Sequence, residues 1–209
     1  GSAQMIRMCT DSDPGPFGEC TTNIYTIRMG DNVGDFIADE ALVSVEGVIT
    51  AVRTNADGLP SHIVLQIPTN HPDYAGPDYS GVWVYLNNAR SEAIANSPHP
   101  LDPEHLNPPP VGTVVRVVAG TNNHYGQRQL QHVTAIDVIG QADLPSPVPV
   151  AAGEVATDGA SASALEGVLV RISNAAVTAT EPEAGPGEPE GEPTYEFVVN
   201  EALRINDYL

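Results

Sequence analysis

Apolar and β-branched positions crowd Leu42-Val43-Ser44-Val45-Glu46-Gly47-Val48-Ile49-Thr50-Ala51-Val52-Arg53, and the only glycine of that run, Gly47, stands near its middle. Glycine inside a strand costs stability unless the strand must bend or let another backbone approach. A long first strand with a central kink is what a small closed barrel requires, because one strand has to serve both halves of a curled sheet. The phrase returns at Leu165-Glu166-Gly167-Val168-Leu169-Val170-Arg171, which predicts a second copy of the same barrel plan.

The flanking pattern fills in the first copy. Ile24, Thr26 and Arg28 alternate with Tyr25, Ile27 and Met29, a short leading strand ending at the Gly30-Asp31 turn. Residues 33–40 read as a turn or one scrap of helix lying against the barrel. His62–Ile67 is strand two and Gly81–Leu86 strand three, where Val82, Val84 and Leu86 share the inner face and Trp83 and Tyr85 the outer one. After a long proline-rich connection, Val111–Gly120 and Arg128–Ile139 are strands four and five, joined by a loop over 121–127. This layout, with its long excursion between strands three and four, predicts an OB-fold, an all-β Greek-key barrel. Leu144–Val150 reads as a stiff polyproline-like linker. Residues 165–180, 194–200 and 203 onward read as the opening strands of a second, incomplete barrel, interrupted by an acidic Pro/Gly loop. The expected organisation is therefore 1–40 as a leader, 41–140 as barrel one, 141–163 as linker and 164–209 as truncated barrel two: a tandem OB-fold.

Charge narrows the partners. Twenty-seven acidic residues against eight basic ones give a formal −19, every basic residue is arginine, and lysine is absent. Such a surface repels phosphate backbones and is compatible with cations or basic partners. Cys9 and Cys20 bracket a turn-rich segment. A disulfide there would stabilise by roughly 3 kcal/mol and implies an oxidising compartment, with free thiols as the alternative. Two cysteines alone make no structural zinc site. No run approaches the roughly 20 apolar residues of a membrane span. Gly1-Ser2-Ala3 has the look of a cloning remnant, so a signal peptide or lipid anchor would not be visible in this sequence.

Four stretches resemble a known family: Val45–Val48, the Tyr79-Ser80-Gly81-Val82-Trp83-Val84-Tyr85 run, Val111–Val117, and His124-Tyr125-Gly126-Gln127-Arg128-Gln129-Leu130. They are similar to the OB-fold modules that precede the catalytic domain in secreted bacterial endonuclease/exonuclease proteins, and to modules of bacterial surface lipoproteins. The final Leu203-Arg204-Ile205-Asn206-Asp207-Tyr208 is similar to the stretch entering the second such module. The resemblance implies the fold and an extracellular, periplasmic or cell-surface location. The phosphodiesterase chemistry of that family belongs to a separate downstream domain, so no catalytic residue carries over.

The residues themselves offer little catalysis. His71-Pro72-Asp73 and His99, Asp102, Glu104 and His105 are loop residues without metal-ligand spacing, and a calcium ion held by the Asp11/Asp13 or Asp73/Asp78 loops lacks the twelve-residue ligand pattern. No nucleophile elbow, phosphate loop or dinucleotide fingerprint appears. A non-catalytic module with no cofactor is the expectation. Its candidate ligand residues are Trp83 and Tyr85 on strand three, His124 and Tyr125 in the four-five loop, and Arg128. OB barrels bind across these strands and loops with aromatic platforms beside cations. Three roles are open to the rings: packing against the rest of the chain, a groove for a protein or oligosaccharide partner, or, against the charge, a platform for single-stranded nucleic acid.

Overall fold

A computed structural model describes residues 21–30, 36–54, 60–86, 108–184 and 196–206. The expected Cys9–Cys20 disulfide lies outside them, as do Asp11, Asp13, His99, Asp102, Glu104 and His105.

β1 (Leu42–Thr54), β2 (Pro60–Gln66), β3 (Gly81–Tyr85), β4 (Thr113–His124) and β5 (Gln127–Gln141) close into a five-stranded barrel in the order β1-β2-β3-β5-β4. Every neighbouring pair is antiparallel except β3 with β5. This is an all-β, OB-like arrangement. β1 serves both halves of the sheet: Leu42 to Val48 pair with β4, and Val48 to Thr54 pair with β2. Gly47 sits at the handover. A Cβ there would lie 3.0 Å from the Leu65 Cβ and 3.2 Å from the Gln66 carbonyl, so β1 passes β2 so closely that any side chain would push both neighbours back by a few tenths of an ångström.

Inward positions of all five strands, among them Val45, Ile49, Ile63, Leu65, Val82, Val84, Val117 and Leu130, form one core. Ile24 and Ile27 join it from α1 (Ile24–Met29), where an extended strand was expected. Over six residues a period of two and a period of three or four are hard to separate. The caps decide: the Asn23 side chain accepts the Tyr25 N–H at 2.9 Å, Gly30 closes the helix at φ 84°, and the helix buries Ile24, Ile27 and Arg28 on one face.

Beyond the barrel run β6 (Val148–Val150), α2 (Ala152–Val155), α3 (Ala162–Leu165), β7 (Val170–Ile172), β8 (Val177–Ala179), β9 (Glu196–Val199) and β10 (Leu203–Asn206). Part of the expected linker is thus a strand, since β6 pairs in parallel with β7; Pro149 is tolerated because the strand is an edge. β8, β9 and β10 form an antiparallel three-stranded sheet. Among the described residues no second barrel closes.

The expected continuous strand over 165–180 is also corrected. Its first part is helix and turn, with Gly167 at φ 74° in the turn. The cause is tertiary. The Arg28 guanidinium, its side chain only 2% exposed, meets the Glu166 carboxylate at 2.6 Å and donates to the Ser163 carbonyl at 2.7 Å. The Tyr79 N–H donates to the Ala164 carbonyl at 2.6 Å, and the Leu169 N–H donates to Gln66 Oε1 at 3.2 Å. The second Glu-Gly-Val phrase is a docking turn on the barrel wall, whereas the first is a strand bend.

Candidate functional site

Alternation along β2 and β3 sends Ile63, Leu65, Val82 and Val84 inward and leaves His62, Trp83 and Tyr85 half-buried on the outer face. Register then aligns them. Arg53 of β1 is opposite His62, and His62 is opposite Tyr85, so the three form a row across the strands. The His62 ring lies 4.9 Å from that of Tyr85, tilted at 44°, and 5.8 Å from that of Trp83, edge-on at 86°. These are favourable aromatic geometries. The structure brings Trp83 and Tyr85 together as the alternation predicts, with His62 between them.

At one end of this face, β4 and β5 run further than the sequence pattern indicates, and the expected loop over 121–127 shrinks to the turn Tyr125-Gly126. Both residues have positive φ, 51° and 92°, the geometry of a type I′ hairpin that favours Asn-Gly. Tyrosine in that position costs energy, yet it is 97% exposed, with the His124 ring 4.7 Å away. The hairpin therefore holds an aromatic ring out into solvent against its own backbone preference. The Asn123 side chain supports the turn by accepting the Gly126 N–H at 2.8 Å.

Arg128 is placed elsewhere. It pairs with Asp39 at 2.7 Å, donates to the Ile37 carbonyl and lies 5.3 Å over the Phe36 ring. Its position ties residues 36–39 to the hairpin, and the Thr121 hydroxyl, donating to the Ala38 carbonyl at 2.6 Å, adds to that tie. Arg28 with Glu166, Arg116 with Glu46 and Arg204 with Glu196 are likewise ion-paired.

His62 and Arg53 are members of the face that the sequence pattern does not single out. Nothing in a strand reading marks His62, because its place beside Tyr85 comes from cross-strand register. The available signal was its position at the start of strand two, on the same outward parity as the aromatic pair of strand three. Burial of the imidazole, with the nearby Arg53 charge and His124 adding to it, pushes its pKa down to about 4. A histidine whose folded pKa is depressed is protonated more readily in the unfolded chain, so folding stability is full above about pH 6.5 and declines as pH falls toward 4. Allowing for solvent screening of a half-exposed ring, the loss should be about 1–2 kcal/mol. Urea unfolding at pH 7 and pH 4.5 should show that extra loss in the wild type and not in His62→Gln.

Other candidate chemistry is weak. The Asp73 N–H donates to His71 Nδ1 at 3.2 Å, a local turn contact, and among the described residues no group of three His, Cys, Asp or Glu side chains is placed to hold a metal ion. A shallow cavity of about 470 Å³ opens at the start of β4, around 110–113 and 141–143, and among the described residues Asp143 is its only ionisable side chain. It lies away from the aromatic face and offers no ring or base. Among the described residues no helix is long and apolar enough to cross a membrane. Neither the protein-family models nor the curated proteins include a match to this chain.

Proposed function

We propose that this chain is a non-catalytic, exported binding module built from OB-type barrels, which holds its ligand on the outer face of β2 and β3 with Tyr125 as an outlying contact. One observation carries the reading: the aligned rings of His62, Trp83 and Tyr85, beside a hairpin that spends stability to expose Tyr125. Strained, exposed aromatic positions are characteristic of ligand sites. The order β8-β9-β10 repeats the antiparallel run β1-β2-β3, which supports reading residues 164–209 as the opening of a second barrel of the same kind. The acidic composition and the cysteine pair favour an exported protein.

Calorimetric titration with neutral oligosaccharides, proline-rich peptides and single-stranded oligonucleotides tests this. At least one class should bind, and Tyr85→Ala should abolish that binding. Tyr125→Asn installs the favoured Asn-Gly turn and should raise stability by about 0.5–1 kcal/mol while weakening binding several-fold. Ligand affinity unchanged in both variants would refute the assignment of the face.

A second reading, an accessory nucleic-acid-binding region, draws on the same strands and hairpin, where OB barrels also hold single strands. Its signature is affinity that falls steeply with salt. Turnover of DNA or RNA with divalent ions, retained after repurification, would overturn the non-catalytic assignment.

A further inference from the structure

We infer that the ligand of the aromatic face is a neutral, hydroxyl-rich chain, an uncharged oligosaccharide, which lies against Trp83 and Tyr85 and donates a hydroxyl hydrogen bond to Nε2 of His62. The inference rests on the binding face proposed above and specifies what that face takes.

The hydrogen bonds around His62 determine its tautomer. The Ser61 hydroxyl donates to the Arg53 carbonyl at 3.2 Å, and the same Oγ lies 3.0 Å from His62 Nδ1. A hydroxyl has a single proton to donate. With that proton directed at the carbonyl, Oγ is the acceptor in the second contact and Nδ1 carries the imidazole hydrogen. Nε2 is then a bare acceptor, and no hydrogen bond among the described residues reaches it. Arg53 from β1, Trp83 and Tyr85 from β3 and His124 from β4 surround the ring; none of them is a carboxylate that would favour a charged imidazolium.

This arrangement selects by chemistry. A phosphodiester or a carboxylate has no proton to offer Nε2 at neutral pH, so a nucleic acid could donate there only from its bases or a ribose hydroxyl, and a proline-rich peptide lacks most of its N–H groups. A sugar hydroxyl donates readily, and the C–H faces of a pyranose suit the apolar bodies of tryptophan and tyrosine. Charge points the same way. Polyanion binding needs several available cations, whereas four of the eight arginines, Arg28, Arg116, Arg128 and Arg204, are paired with carboxylates, the cation set beside His62 is Arg53, and the chain's net charge is −19.

The experiment titrates the full chain with cello-, manno- and xylo-oligosaccharides, with oligothymidylate and with a proline-rich peptide, at low and moderate salt. At least one neutral oligosaccharide should bind with little change between the two salts. His62→Phe keeps a ring and removes the acceptor, and should weaken that binding roughly five- to tenfold. Imidazole ¹⁵N spectra of the wild type should report the Nδ1–H tautomer, with the Nε2 resonance moving on saturation; this readout decides even if the variant folds poorly. A dominant Nε2–H tautomer, or undiminished affinity in a folded His62→Phe, overturns the inference. Binding of oligothymidylate or the peptide alone, lost in Tyr85→Ala, would leave the face standing and remove the oligosaccharide. No binding by any probe removes both.

Discussion

Replacing Gly81 by alanine is expected to release the segment around 161–169 from the barrel while the barrel itself stays closed. A Cβ at Gly81 would fall 2.0 Å from the Gly167 carbonyl oxygen and 2.3 Å from its carbon, and both are backbone atoms that cannot rotate away. Alanine gains about 0.5–1 kcal/mol over glycine in a strand through backbone entropy. That gain cannot offset an overlap relieved only by separating the two backbones. The contacts sharing the approach go together: Tyr79 N–H to Ala164, Leu169 N–H to Gln66, and Arg28 to Ser163 and Glu166. Amide exchange should show protection lost at Tyr79 and Leu169 with the β1, β2 and β4 amides unchanged, and limited proteolysis should cut near α3. Docking stability should fall by about 1–3 kcal/mol or more, the usual range for overpacking. Wild-type protection of both amides in Gly81→Ala would contradict the docked arrangement.

Gly47→Val should destabilise the barrel itself. Valine suits strands and would gain as much as about 1 kcal/mol by propensity. Against that, even its Cβ would stand 3.0 Å from the Leu65 Cβ and 3.2 Å from the Gln66 carbonyl, and Leu65 is fully buried with nowhere to withdraw. Opening β1 from β2 to make room would break pairing where β1 passes from one half of the sheet to the other. The overpacking term wins, and a net loss of about 2 kcal/mol is expected, or roughly 8–16 °C in Tm for a barrel of about 100 residues. A Tm equal to or above that of the wild type would show that Gly47 is not the point of closest approach.

The barrel was legible because β1, β4 and β5 are long and β-branched, and because β3 alternates cleanly, so Val82, Val84 and Leu86 separate from Trp83 and Tyr85 by parity. Short elements were not. α1 has six residues, too few for periodicity to outweigh its caps, and Gly167 shares the Glu-Gly-Val phrase of Gly47 but follows the pull of Arg28 on Glu166. Those partners lie far apart in sequence, and no local pattern contains their meeting. The candidate site divides in the same way. Trp83 and Tyr85 follow from strand parity and Tyr125 from its place at a hairpin tip, whereas His62 enters through cross-strand register and Arg128 is drawn off by Asp39, Ile37 and Phe36.

Trp83 is the only tryptophan in the chain, so its emission reports on the proposed face and on no other surface. Titration of a neutral oligosaccharide that binds by calorimetry, followed by that emission, should give a saturable change with the same midpoint. Calorimetric binding with silent Trp83 emission, for any ligand found, would place the site elsewhere on the molecule.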